Sequence, residues 1–86
     1  MKVIVWQPKA KRQLKKIKEQ RFKKDILDAV DSLIDFPDVA EVKHLKNLQY
    51  THRLKVGKFR VLFNAFESVN IVSIEEVKKR NERTYN

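Results

Sequence analysis

The sequence predicts an α+β domain, and three observations carry that expectation. Apolar residues recur with helical period between Ala10 and Ile34 and with strand period from Tyr50 onward. A strand-like run, Lys2-Val3-Ile4-Val5-Trp6, precedes the helical part. The only glycine, Gly57, opens a two-residue loop between two alternating runs, the mark of a tight β-hairpin. The resulting order is β-α-α-β-β-β: an N-terminal strand and helical hairpin packed on a small antiparallel sheet, in one domain over residues 1–86.

Each element has its own reason. The first run is rich in β-branched and aromatic residues, and Trp6 belongs to the core or its edge. Pro8 suits the first turn of a helix, where a missing N–H costs nothing. Ala10, Leu14 and Ile17 then form an apolar stripe, and Lys9, Lys11, Arg12, Lys15, Lys16 and Lys18 a basic outer face. A break falls within Glu19-Gln20-Arg21. The second helix turns Phe22, Ile26, Ala29, Val30, Leu33 and Ile34 inward, and Pro37 stops it. Residues 38–50 read as irregular, with Val42, Leu45 and Leu48 making a turn of helix or pinning a loop. Strands follow near 50–56, 59–66 and 69–75, with Glu67-Ser68 as the second turn. The last is apolar on both sides, as a central, doubly covered strand is.

A chain of 86 residues buries roughly 60–65% of its unfolded surface, so the core is modest. The formal net charge is +9, from 20 Lys and Arg against 11 Asp and Glu. Such a balance favours a polyanionic partner: nucleic acid, a ribosome, an acidic protein or a membrane surface. Cysteine is absent, which excludes a disulfide framework and a thiolate zinc site. No run approaches the ~18 apolar residues of a membrane span, and the N-terminal apolar stretch is too short for a signal peptide. A soluble cytoplasmic protein with no membrane partner is the expectation. Charge comes in blocks: residues 1–24 and 43–60 are basic, residues 25–42 and 61–76 acidic, and the tail basic again.

The hairpin holds the most pointed cluster. A turn at Gly57-Lys58 pairs Val56 with Phe59, Lys55 with Arg60 and Leu54 with Val61. Leu54, Val56, Phe59, Val61 and Phe63 then share one face, and Arg53, Lys55 and Arg60 the other. Like charges directly across a strand pair are destabilising. Either this face holds an anion, or it is a solvated surface neutralised by acids such as Glu67, Glu75 and Glu76. The tail adds Lys78, Lys79, Arg80, Arg83 and Tyr85, in which charge suits phosphates and a ring suits a stacked base. It also reads as a charged terminus that merely aids solubility. His44 and His52, with no cysteine and no clustered carboxylate, make a poor metal site. There is no glycine-rich phosphate loop and no Ser-His-Asp arrangement.

The chain resembles the RelE/ParE superfamily of toxins from bacterial type II toxin–antitoxin systems. The resemblance runs from Val5-Trp6-Gln7-Pro8-Lys9-Ala10 through Leu45-Lys46-Asn47-Leu48 and the hairpin Arg53–Phe63 to Lys79-Arg80-Asn81-Glu82-Arg83-Thr84-Tyr85. It implies a small sheet packed by an N-terminal helical hairpin. RelE-like members are endonucleases that cut mRNA in the ribosomal A site without a metal or other cofactor. ParE-like members poison DNA gyrase, and a cognate antitoxin silences both. For a RelE-like toxin, the partners implied are that antitoxin, the ribosome and mRNA. The catalytic set implied is Arg53, Lys55, Arg60, Arg80 and Tyr85, with Lys58, Lys79 and Arg83 contacting RNA. Lys55 would be the base, Arg60 would stabilise the phosphorane, Arg80 would share that task or protonate the leaving group, Arg53 would position the phosphate, and Tyr85 would stack on a base. Arg53 stands where the founding member has lysine. The spacing of the tail leaves Arg83 and Lys79 as alternatives for the part given to Arg80. The histidine-and-carboxylate site of some relatives has no clear counterpart.

Overall fold

The structure, a computed structural model, describes residues 1–80. The chain begins with β1 (Val3–Trp6) and turns at Gln7 into α1 (Pro8–Lys15), with Pro8 in its first turn. After a short link, α2 (Gln20–Asp31) runs into a 3₁₀ turn over Ser32–Asp35. Then come β2 (Val42–His44), β3 (His52–Val56), β4 (Phe59–Phe66), a 3₁₀ turn over Glu67–Val69, and β5 (Ile71–Lys79). The five strands form one sheet in the order β1-β5-β4-β3-β2.

The α+β class and the helical hairpin stand as the sequence predicts. Two features extend that expectation. β1 is hydrogen-bonded into the sheet, parallel to β5, with Val3 opposite Ile71 and Trp6 opposite Ile74. The segment read as irregular contributes β2, which pairs antiparallel with β3. The sheet is therefore mixed, and β5 is an interior strand.

Packing follows from the two periods. α1 buries Ala10, α2 buries Ile26 and Val30, and Leu33 and Phe36 continue that surface. Against them the sheet turns Leu54, Phe59, Val61, Phe63, Val72, Ile74 and Val77. Large apolar side chains buried this way contribute about 1.5–3 kcal/mol each. β1 covers β5 only as far as Ile74, so the edge beyond it needs another partner. α1 supplies one: Gln13 Oε1 accepts the Val77 N–H at 2.7 Å. A register shift in the β4–β5 pairing at Leu62/Phe63 skips Glu75, which lets Ile74 and Val77 both face the helices.

The hairpin forms in the expected register, with Lys55 opposite Arg60 and Val56 opposite Phe59. Gly57 has φ of +55°, a region that costs side-chain-bearing residues about 1–2 kcal/mol. β5 starts two residues later than expected because Asn70, at φ 62°, closes the preceding turn. It extends to Lys79 because Arg60 and Phe59 pair with Lys78 and Lys79. Among the described residues, no helix is long and apolar enough to cross a membrane.

His52 goes to the apolar side. Its ring stacks on Phe63 at 5.4 Å and meets Phe36 and His44 edge-on at 4.8 and 4.9 Å. Burial, and then the neighbouring His44, lower its pKa below the usual 6.5. A group whose folded-state pKa is depressed contributes stability that is complete above the unfolded value and is lost as pH falls through the folded one. Thermal unfolding from pH 7.5 to 5 is expected to show a decline in midpoint below about 6.5 that is much reduced in His52→Phe. Equal declines in both proteins would contradict this placement.

Candidate functional site

Helices cover one face of the sheet, and alternation sends the polar residues of β3 and β4 to the other. Arg53, Lys55 and Arg60 project there, and Arg80 joins them just beyond β5. Its N–H is held by the Lys58 carbonyl at 2.6 Å, which fixes Arg80 against the hairpin tip. Arg53, Lys55, Arg60 and Arg80 line one open cleft of about 170 Å³. Arg53 and Arg60 are half-buried, and Lys55 and Arg80 exposed. Four cations around one opening set up a field that an anion relieves, and two or more guanidinium groups can meet phosphate oxygens with paired donors.

Of the acids weighed as neutralisers of this face, Glu67 and Glu75 are engaged elsewhere, whereas Glu76 lies on it and meets Lys78 and Lys9. Glu67 pairs with Lys2, and Glu75 accepts a hydrogen bond from the Ser73 hydroxyl at 2.7 Å. Glu76, on β5, pairs with Leu62 of β4 and is buried. It accepts a hydrogen bond from the Tyr50 hydroxyl, and Lys9 and Lys78 stand 3.5 and 3.8 Å from it. Arg53 and Lys55 make no ion pair among the described residues. Burial works to raise the pKa of Glu76, but the Tyr50 hydrogen bond with Lys78 and Lys9 outweighs it and holds the group below 4.5. The same hydrogen bond, with burial and the nearby carboxylates, pushes Tyr50 up to about 12. Tyr50 therefore donates to a carboxylate that stays ionised.

The other residues singled out in sequence lie apart. Lys58 turns to the helix side and stands over the Phe22 ring at 4.4 Å, a cation–π contact. Lys58 and Lys79 border a second cleft of about 250 Å³ floored by Ile17, Phe22 and Phe59. Arg83 and Tyr85 lie outside the described residues. The group formed by Tyr50, Glu76 and Lys9 did not emerge from the sequence as a unit. Its only sequence signal was the i, i+2 spacing of Glu76 and Lys78, which the skipped Glu75 turns toward the cationic face. Among the described residues, no three His, Cys, Asp or Glu side chains gather as a metal site.

A family model described as "ParE toxin of type II toxin-antitoxin system, parDE" matches residues 4–84. No curated protein sequence gives a significant match. Among solved structures, the chain is similar to one in the toxin–antitoxin complex RelBE2 from Mycobacterium tuberculosis (TM-score 0.77, 20% identity, 92% of this chain and 98% of that one). It is similar to a chain of the archaeal RelE–RelB complex from Pyrococcus horikoshii OT3 (TM-score 0.79, 17% identity, 94% of this chain and 97% of that one). It is similar to the isolated E. coli RelE toxin as well (TM-score 0.77, 11% identity, 95% of this chain and 87% of that one). At these identities the likeness shows a common fold.

Tyr50→Phe is expected to cost about 1–3 kcal/mol at neutral pH, because Glu76 keeps its charge and loses a hydroxyl donor. Glu76 contributes stability that is complete above 4.5 and lost as pH falls through its lower folded-state value. Without the hydroxyl the folded-state pKa of Glu76 is less depressed, so the variant's deficit should shrink as pH falls below 4.5. Urea unfolding at pH 7 and acid titration by circular dichroism check both. Unchanged curves would remove the hydrogen bond from the account.

Proposed function

We propose that this chain, which belongs to the ParE toxin family of type II toxin–antitoxin systems and is a toxin of that kind, acts as a ribosome-dependent mRNA endonuclease. As such a toxin it has a cognate antitoxin as partner. One observation carries the nuclease reading: Arg53, Lys55, Arg60 and Arg80 surround a single open cleft on the uncovered face of the sheet. The cluster is of a size to take a phosphodiester.

The proposed reaction is transphosphorylation. The 2′-oxygen of the RNA attacks its own phosphorus, a new P–O2′ bond forms, and the bond from phosphorus to the 5′-oxygen breaks. The 2′-hydroxyl proton passes to the Lys55 amine. The 5′-oxygen leaves with a proton from solvent water entering the open cleft, and Arg80 donates hydrogen bonds that stabilise the departing oxygen. The products are a 2′,3′-cyclic phosphate and a 5′-hydroxyl end. Arg60 faces the charge that builds on the phosphorane, where fixed donors act most strongly. Arg53 holds the phosphate in place. Tyr85 is proposed to stack on a base, with Arg83 nearby in sequence to contact the backbone. Lys58 and Lys79 would meet RNA only outside the four-cation cleft.

The cleft is open and Lys55 exposed, so the site by itself does little to orient a substrate. Positioning is worth about 7–11 kcal/mol of barrier in favourable cases, and the ribosome would supply it. A chain of this design is slow on free RNA.

The description of the matching family favours a second reading, in which the fold inhibits DNA gyrase without chemistry of its own. That reading makes no use of Lys55 as a base. Primer extension on mRNA from a cell-free translation reaction separates the two. Codon-phased stops that vanish in Lys55→Ala, with the circular dichroism spectrum unchanged, are expected. Intact message, together with altered DNA supercoiling in a gyrase assay, would overturn the nuclease reading.

A further inference from the structure

The cation rank on the uncovered face does not stop at the cleft. Lys55 faces Arg60 across β3 and β4, and Arg60 faces Lys78 across β4 and β5. The three side chains form a row over adjacent strands, stepping about 4.8 Å each time. Lys78 stands at its end, outside the lining of the four-cation cleft. Next to it, Lys9 reaches over from the first turn of α1.

Glu76 fastens both lysines. Its side chain is 9% exposed, while those of Lys9 and Lys78 are each 58% exposed. The carboxylate is turned inward to Tyr50, and the ammonium groups look outward. At 3.5 and 3.8 Å, both contacts are longer than the usual N–H···O hydrogen bond, so each ammonium keeps donors for another acceptor. One carboxylate between two ammonium groups leaves one positive charge over. A free lysine loses rotamer entropy when it grips an anion, and these two are partly held in advance. The depressed pKa of Glu76 agrees with a carboxylate that remains charged in this role.

We propose that Lys9 and Lys78, held in place by Glu76, form a second phosphate site that takes the phosphodiester next to the one in the four-cation cleft. Glu76 is a positioning residue there and touches no RNA. The proposal rests on the RNA reading above and extends it: the substrate is engaged over more than one phosphate, along the row from β3 to α1.

The test compares two uncleavable RNA probes, 2′-O-methylated throughout: a dinucleotide with one phosphodiester and a fluorescent hexanucleotide. Affinities are followed by calorimetry or anisotropy across a salt series. Loss of one phosphate contact lowers the slope of log K against log salt by about 0.7 for a single strand, and affinity about fivefold at 0.1 M salt. The Lys9→Ala/Lys78→Ala variant should show those losses for the hexanucleotide and bind the dinucleotide unchanged. Glu76→Gln keeps an acceptor for Tyr50 and adds a unit of net positive charge. Attraction by net charge alone would tighten its grip on the hexanucleotide; the positioning role predicts weaker binding. Equal hexanucleotide affinity and slope in the natural chain and the double variant overturn the second site alone. Tighter binding by Glu76→Gln overturns the part given to that residue. Failure of the natural chain to bind either probe overturns the RNA reading and the second site with it.

Discussion

The register of the β3–β4 hairpin is the constraint on which the rest of the molecule depends. Side chains alternate faces along a strand, so a slip of one residue would exchange the two faces completely. In the register formed, Leu54, Phe59, Val61 and Phe63 enter the core, and Arg53, Lys55 and Arg60 gather on the uncovered side. Gly57 sets that register by accepting a positive φ at the first loop position. The arrangement opposes two energies of different size. Like charges across a strand pair cost roughly 0.2–1 kcal/mol, whereas each large apolar side chain on the other face contributes about 1.5–3 kcal/mol. The core decides the register, and the cations are carried into proximity by it.

The helices are needed on one face only, and this gives the fold its polarity. α1 and α2 cover the apolar side and leave the other to solvent along β3 and β4. The same α1 completes the edge of β5 where β1 ends, through Gln13, and sends Lys9 around that edge to Glu76. A side chain that caps the sheet and one that extends its cationic surface thus come from successive turns of one helix. Structural closure and surface charge are set by a single docking geometry.

Much of this was legible in the residues themselves. The hairpin register followed from one glycine and strict alternation on both sides of it. The helical hairpin followed from two apolar stripes with a 3.6 period. The convergence of Arg53, Lys55 and Arg60 on one face came with the register. What escaped was non-local. Nothing in Val3–Trp6 says that it will pair in parallel with residues some seventy positions away. β2 has three residues, too few for alternation to declare itself. The skipped Glu75 in β5 depends on how two strands meet, and it alone brings Glu76 beside the cations. The family resemblance read from the short motifs is confirmed by the family match over residues 4–84. It could not have supplied the Tyr50–Glu76 contact, which lies outside those motifs.

The central physical claim is that the uncovered sheet face concentrates its cations on a phosphodiester. It is tested most directly by nuclear magnetic resonance, titrating isotope-labelled protein with an uncleavable RNA trinucleotide. The account predicts chemical-shift changes centred on Arg53, Lys55, Arg60 and Arg80, with the guanidinium Nε–H signals among the largest. Changes centred instead on the basic outer face of α1, at Lys11, Arg12, Lys15 and Lys18, would contradict it.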